Sequence, residues 1–298
     1  MKSNVCRYMT VLLGATVLLG GCQNSGTQDS REREALEKLG QIQVITRESG
    51  SGTRSSLAQA LGLDEEGVDD RDHITDTAQV AASGEEMIGA VARSEGALGY
   101  VSLGTGENED SEVRALAVDG VSPDAAAIES GEYPLSRTLC LASQDDGNAL
   151  KEDFLTFVTG KGQETVEKFL VPAADGKDVF LSGQPSGTLR IHGSTSLAPL
   201  MEALAEEYEE INPAAEIEVE ASDSTQGITD TLTGACDMAM VSRELYAYEA
   251  DLLTAVPVAK DGIRILVHAD NPLEGISMEA LKEIYSGDIT EWAETNEK

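Results

Sequence analysis

Short apolar runs of strand type alternate with segments of helical period from residue 41 to residue 285, and this alternation limits the folds open to the chain. Segments 41–46 (QIQVIT), 97–103, 113–118, 137–142, 188–192, 215–220, 237–241 and 262–267 read as strands. Segments 54–61, 85–93, 150–158, 163–170, 227–232 and 277–285 read as helices, the last with Ser277 as a natural N-cap. The clearest helix follows His192, where Leu197, Leu200, Met201, Leu204 and Tyr208 recur at helical spacing. Strands that alternate with helices build an α/β fold with largely parallel sheets.

Three of the strand-to-helix junctions share one local design. Strand 41–46 runs into Arg47, Glu48, Ser49, Gly50, Ser51, Gly52 and Thr53. Strand 188–192 runs into Gly193, Ser194, Thr195 and Ser196, and strand 215–220 into Ser222, Asp223, Ser224, Thr225, Gln226 and Gly227. Each junction offers hydroxyls and unpaired backbone N–H groups at the positive end of a helix. In α/β sheets such turns gather at the carboxyl ends of the strands, where ligands bind. Any one of them is an ordinary capped helix start. Three together can converge on one small tetrahedral anion, with Arg47 adding a forked guanidinium suited to oxyanions.

Other chemistries lack their residues. The GSGTR stretch is not a nucleotide phosphate loop, because no Lys follows Gly52, and it lacks the spacing of a dinucleotide fingerprint. No GxSxG elbow is present, and His73, His192 and His268 stand in unrelated segments without a recognisable serine partner, so a nucleophilic hydrolase is not indicated. No zinc or iron–sulfur spacing occurs, and no cofactor is implied. The net charge is −33 over 298 residues, which makes nucleic acid a poor partner. An acidic protein still binds an anion where the site is local and built from neutral donors.

The first residues read as an export signal. Lys2 and Arg7 precede a short apolar run from Met9 to Leu19, and Leu19, Gly20 and Gly21 lead into Cys22. A cysteine at that cut resembles a bacterial lipoprotein signal, which implies removal of residues 1–21 and a lipid on Cys22. Residues 23–40 are polar without a core pattern and read as a tether. Cys140 and Cys236 read as two buried free thiols in preference to a bridge, which export from the cytoplasm leaves open.

Six motifs carry a wider resemblance: 47–54 (RESGSGTR), 96–104 (GALGYVSLG), 193–200 (GSTSLAPL), 224–228 (STQGI), 241–245 (VSREL) and 284–292 (IYSGDITEW). Together they resemble the phosphate-binding lipoproteins of ABC phosphate importers, over nearly the whole chain from Gln41 onward. The resemblance implies a two-lobed fold of the type II periplasmic-binding-protein class, with inorganic phosphate in the cleft and a membrane permease as partner. The order of the motifs is unusual: GSGT precedes GSTS, so the chain resembles a circularly permuted member. Lobe A is then expected from 41–130 plus 269–298 and lobe B from 131–268, with Gln41 and Lys298 on the same lobe, away from the cleft.

By the same resemblance, Arg47 pairs with the anion, Ser51, Gly52 and Thr53 donate from the GSGT turn, Thr195 and Ser196 from the GSTS turn, and Ser224 from the STQG turn. Arg243 falls where better-known members carry an Asp that accepts the proton of hydrogen phosphate. Arg cannot accept a proton. Glu244, Asp223 or a carbonyl is left for that role, or the site prefers a fully deprotonated anion; an unmet buried acceptor would otherwise reject sulfate.

Overall fold

The computed structural model describes residues 25–65, 71–105, 112–176 and 179–296. The first half of the chain forms α1 (Ser25–Leu39), β1 (Gln43–Arg47), α2 (Gly52–Leu61), β2 (Gln79–Ala81), α3 (Gly84–Val91), β3 (Ala97–Ser102), β4 (Val113–Ala115), β5 (Ala117–Val118) and α4 (Ala125–Ser130). There follow β6 (Ser136–Ser143), α5 (Ala149–Val158), α6 (Gln163–Val166), β7 (Val171–Pro172), β8 (Gly187–Ser194), α7 (Ala198–Ile211), β9 (Ala215–Ser222) and α8 (Ser224–Thr233). The last elements are β10 (Met238–Val241), α9 (Ala247–Ala250), β11 (Thr254–His268), β12 (Gly275–Ile276), α10 (Met278–Ser286) and a 3-10 turn at Trp292–Asn296.

One sheet runs in the order β2-β1-β3-β11-β6-β10-β8-β9. Its two ends are parallel, β1 pairing with β2 and β3 at one and β8 with β9 and β10 at the other. The antiparallel pairs of this sheet all involve β6 or β11. These two strands run between the halves. The first half of β11 pairs with β6 and its second half with β3.

The apolar core divides accordingly. One large cluster draws on residues between Leu36 and Leu135 and between Ile263 and Trp292, with Val171 added through β7. A second lies between Leu139 and Ala259, with α7 at its centre. A smaller cluster of Ala142, Ile228, Ala239, Val241 and Leu253 covers the other face of β10. The cores thus change over within β6 and β11, a few residues inside the boundaries expected at 130 and 268.

Several elements differ from the sequence expectation for identifiable reasons. β11 begins at Thr254 rather than 262. Pro257 and Asp261 mask the strand pattern, and a register shift between Pro257 and Ala259 absorbs the missing N–H of proline. The strand expected at 113–118 breaks at Leu116, whose N–H bonds Ile265, so β4 joins β11 and β5 joins β12. The helix expected at 163–170 ends at Val166, whose carbonyl accepts from both Phe169 and Leu170.

The tether reading of 23–40 is corrected over residues 25–39. Residues 25–39 are helical, and Leu36 is fully buried in the first core with Leu39 packed against it. The ends of the described chain also meet: Gln41 bridges Glu291, Ile42 N–H donates to Thr290, and Trp292 N–H donates to Gly40. The Trp292 indole donates to the Gly96 carbonyl at 3.1 Å. Lys298, Cys22 and the signal segment lie outside the described residues.

Ser277 caps α10 as expected, its hydroxyl accepting from Ala280 N–H at 3.1 Å. Ser277→Ala is expected to cost about 1 kcal/mol in chemical denaturation, the ordinary worth of an N-cap.

Candidate functional site

The three hydroxyl turns meet between the two halves. Arg47 ends β1, and two neighbours fix its backbone. Its N–H donates to the Tyr100 hydroxyl at 3.0 Å, and its carbonyl accepts from Arg54 at 2.8 Å. Arg54 is itself clamped by Asp72 at 2.6 and 2.8 Å, and this pairing raises its pKa. Burial raises the pKa of Tyr100, which stays a neutral phenol bonded to Thr46. The Arg47 side chain is almost fully buried. It is held by both oxygens of Glu48 at 2.7 and 2.8 Å and donates to Thr195 Oγ1 at 3.2 Å.

Ser51 caps α2, and Gly52 opens it. A Cβ at Gly52 would lie 2.4 Å from Ser224 Oγ and 2.5 Å from Ser242 Oγ, so only glycine admits the opposing turn at this distance. Thr53 Oγ1 and Ser196 Oγ share a hydrogen bond of 3.0 Å across the cleft. Gly193 has φ +131°, and a Cβ there would meet the Met240 carbonyl at 2.5 Å. The third turn is capped by Asp223, which accepts from Gln226 N–H at 2.8 Å, and Ser224 follows it fully buried.

Ser51, Gly52, Thr53, Ser196 and Ser224 are therefore brought together and buried, with Thr195 half-buried beside them. Arg243 reaches the third turn, its Nη2 donating to Thr225 Oγ1 at 3.3 Å. Its guanidinium forks onto Glu249 at 2.7 and 2.9 Å and lies 4.0 Å over the Tyr246 ring. The residue that points into the cluster is Ser242. Its Oγ accepts from Ser194 at 2.9 Å and lies 3.2 Å from Ser224 Oγ, while its N–H donates to Ser224 Oγ at 3.1 Å. Strand alternation explains the difference. Met238 and Met240 face the second core, and Ser242 follows them. Ala239 and Val241 face the smaller cluster, and Arg243 follows those. Glu244 is exposed, whereas Asp223 is half-buried and sits against Gly50.

Two charged residues of the site carried no local sequence signal. Arg137 on β6 pairs with Asp261 on β11, Nε to Oδ2 at 2.8 Å and Nη2 to Oδ2 at 2.7 Å. Arg137 Nη1 donates to the Ser242 carbonyl at 2.8 Å, and Nη2 stands 3.5 Å from Ser196 Oγ. The site thus combines neutral hydroxyls with two guanidiniums, each beside its own carboxylate. Such a surface favours an oxyanion locally despite the acidic exterior.

A profile of the PBP superfamily domain matches residues 3–161 and 179–298. The chain belongs to that superfamily. Over 271 residues, 90% of this chain and 91% of the relative, it is 36% identical to the protein named phosphate-binding protein PstS 2 of Streptococcus pneumoniae serotype 4. The crystal structure of a phosphate-binding protein of a phosphate ABC transporter from S. pneumoniae superposes with a TM-score of 0.71 at 36% identity, covering 86% of this chain and 100% of that one. The phosphate-binding protein PstS of Pseudomonas aeruginosa is 38% identical over 109 residues, 34% of each chain. This PBP-superfamily chain has no group of three or more His, Cys, Asp or Glu residues able to hold a metal ion among its described residues. Cys140 and Cys236 are free thiols; Cys236 is buried and Cys140 half-buried, and burial pushes the Cys140 pKa up to about 11.

Proposed function

We propose that the chain captures inorganic phosphate between its two halves and hands it to the membrane permease of an ABC importer. The observation that carries this reading is the convergence of hydroxyls from both halves, with Arg47, in a chain closely similar to named phosphate-binding proteins. Ser51, Gly52, Thr53, Thr195, Ser196 and Ser224 act as short donors and Arg47 as the fork. The anion replaces the direct contacts between the turns and so holds the halves together. The phosphate leaves unchanged, so the protein acts as a carrier and not as an enzyme.

Residues 1–21 act as the export signal, and a lipid on Cys22 holds the protein at the outer face of the membrane. Helix α1, packed on the first core, then sets where that anchor leaves the domain. Among the described residues no helix is long and apolar enough to cross a membrane. The circular order is part of the same proposal. Residues 40–42 pair with residues 290–292, as a permuted chain with neighbouring ends requires. The P. aeruginosa protein aligns over about a third of the chain, as expected when two chains share pieces in different order.

Equilibrium dialysis with labelled phosphate tests the ligand. Unlabelled phosphate is expected to compete fully, and sulfate or molybdate in hundredfold excess not at all. Competition by sulfate at parity would reassign the site to tetrahedral oxyanions in general.

A further inference from the structure

We infer that Arg137 is the second guanidinium of the anion site and sets its preference for a doubly charged oxyanion. The inference rests on the cleft being an anion site, and it concerns a residue outside the three hydroxyl turns.

Arg137 and Asp261 form a buried charged pair between β6 and β11. The Arg137 and Asp261 side chains are 7% and 0% exposed, on the two strands that run between the halves. A buried ion pair seldom stabilises a protein more than apolar residues of the same size would. What the pair touches therefore matters more than its own strength. Asp261 Oδ1 accepts from Leu103 N–H, at the end of β3, at 2.9 Å. Arg137 bonds the Ser242 carbonyl and lies against Ser196 Oγ, the hydroxyl that meets Thr53 from the other half. Arg47 touches Thr195 and Arg137 touches Ser196, so the two guanidiniums contact successive residues of one turn. Burial lowers the pKa of Arg137, opposed by Asp261, and the charge of Arg47 lowers it further.

The charges explain the consequence. Glu48 holds Arg47 and Asp261 holds Arg137, and each guanidinium still contacts the turn at Thr195 and Ser196. A singly charged oxyanion can be matched by one guanidinium and the hydroxyls. A second negative charge placed out of water needs a second cation close by. Arg137 supplies it from the hinge side. The same atoms join β6 and β11 to the cleft, so a doubly charged anion also draws on the joint about which the halves move.

The test uses the full chain in mild detergent and a neutral pair, Arg137→Gln with Asp261→Asn, which leaves neither partner as an orphaned buried charge. Phosphate, sulfate and molybdate are titrated calorimetrically at pH 6 and pH 8, with the melting temperature read on each variant. For the unchanged protein, phosphate affinity is expected to rise with pH, as the dianion replaces the monoanion. In the double variant it is expected to fall by at least about 30-fold at pH 8 and much less at pH 6, flattening that rise. Arg137→Lys is expected to restore part of the pH dependence, because it keeps the charge without the fork. Affinity within about threefold of the unchanged protein at both pH values overturns this inference and leaves the phosphate reading intact. An equal loss at both pH values, with a lowered melting temperature, assigns the pair a structural role and also overturns it. If the unchanged protein binds sulfate and not phosphate, the phosphate reading fails, while loss of sulfate affinity in the double variant still supports Arg137. Binding of none of the three anions overturns both.

Discussion

Arg47→Gln is expected to weaken phosphate binding by on the order of 10³-fold, the cost of removing one partner of a buried, charge-assisted contact. The side chain is 4% exposed, and its fork reaches both Glu48 and Thr195. Gln offers a single amide in place of the planar fork and carries no charge. It also leaves Glu48 unpaired beside the incoming anion, which adds repulsion to the lost attraction. Arg47→Lys should recover only part of the affinity, since one ammonium cannot span two acceptors in a plane. Folding should be less affected than binding, because Glu48 is 26% exposed and can turn to water. Calorimetric titration gives the affinity, and thermal melting gives the stability. A variant that melts normally and binds phosphate within tenfold of the unchanged protein would remove Arg47 from the site.

Gly52→Ala is expected to weaken phosphate binding by at least about 10²-fold through sterics alone. The added Cβ would sit 2.4 Å from Ser224 Oγ, 2.5 Å from Ser242 Oγ and 3.0 Å from the Ser242 carbonyl carbon. The two hydroxyls can rotate aside, but the backbone carbon cannot, so the halves must part. The substitution lies at the first position of α2, where Ala is at least as good a helix former as Gly. The chain should therefore fold with unchanged or slightly higher stability. Small-angle scattering then separates closure from folding. Phosphate should shrink the radius of gyration of the unchanged protein and leave that of the variant where it was.

Much of this arrangement is legible in the chain because the informative residues are local. Ser51, Thr53, Thr195, Ser196 and Ser224 sit at strand-to-helix turns, and the fold class already sends such turns to one end of a sheet. Arg137 and Asp261 are invisible in the sequence for the opposite reason. They are 124 residues apart and meet only because β6 and β11 are paired in register. Either residue alone reads as the polar side of a half-buried strand. Arg243 reaches Thr225 of the third turn, while its neighbour Ser242 meets the Ser194 and Ser224 hydroxyls. The VSREL motif marks the right segment, but which residue enters the cleft depends on the alternation that Met238 and Met240 establish. Helix α1 is hard to see because Leu36 and Leu39 are its apolar contacts in an otherwise polar run. β11 is hard to see because Pro257, Lys260 and Asp261 interrupt its pattern.

The most direct measurement is a calorimetric titration of the chain from Gln23 onward with phosphate at neutral pH. One phosphate per chain is expected to bind with a Kd of ~1 µM or tighter, about −8 kcal/mol, with no heat from sulfate under the same conditions. A flat titration with phosphate, on protein shown by melting to be folded, would contradict it.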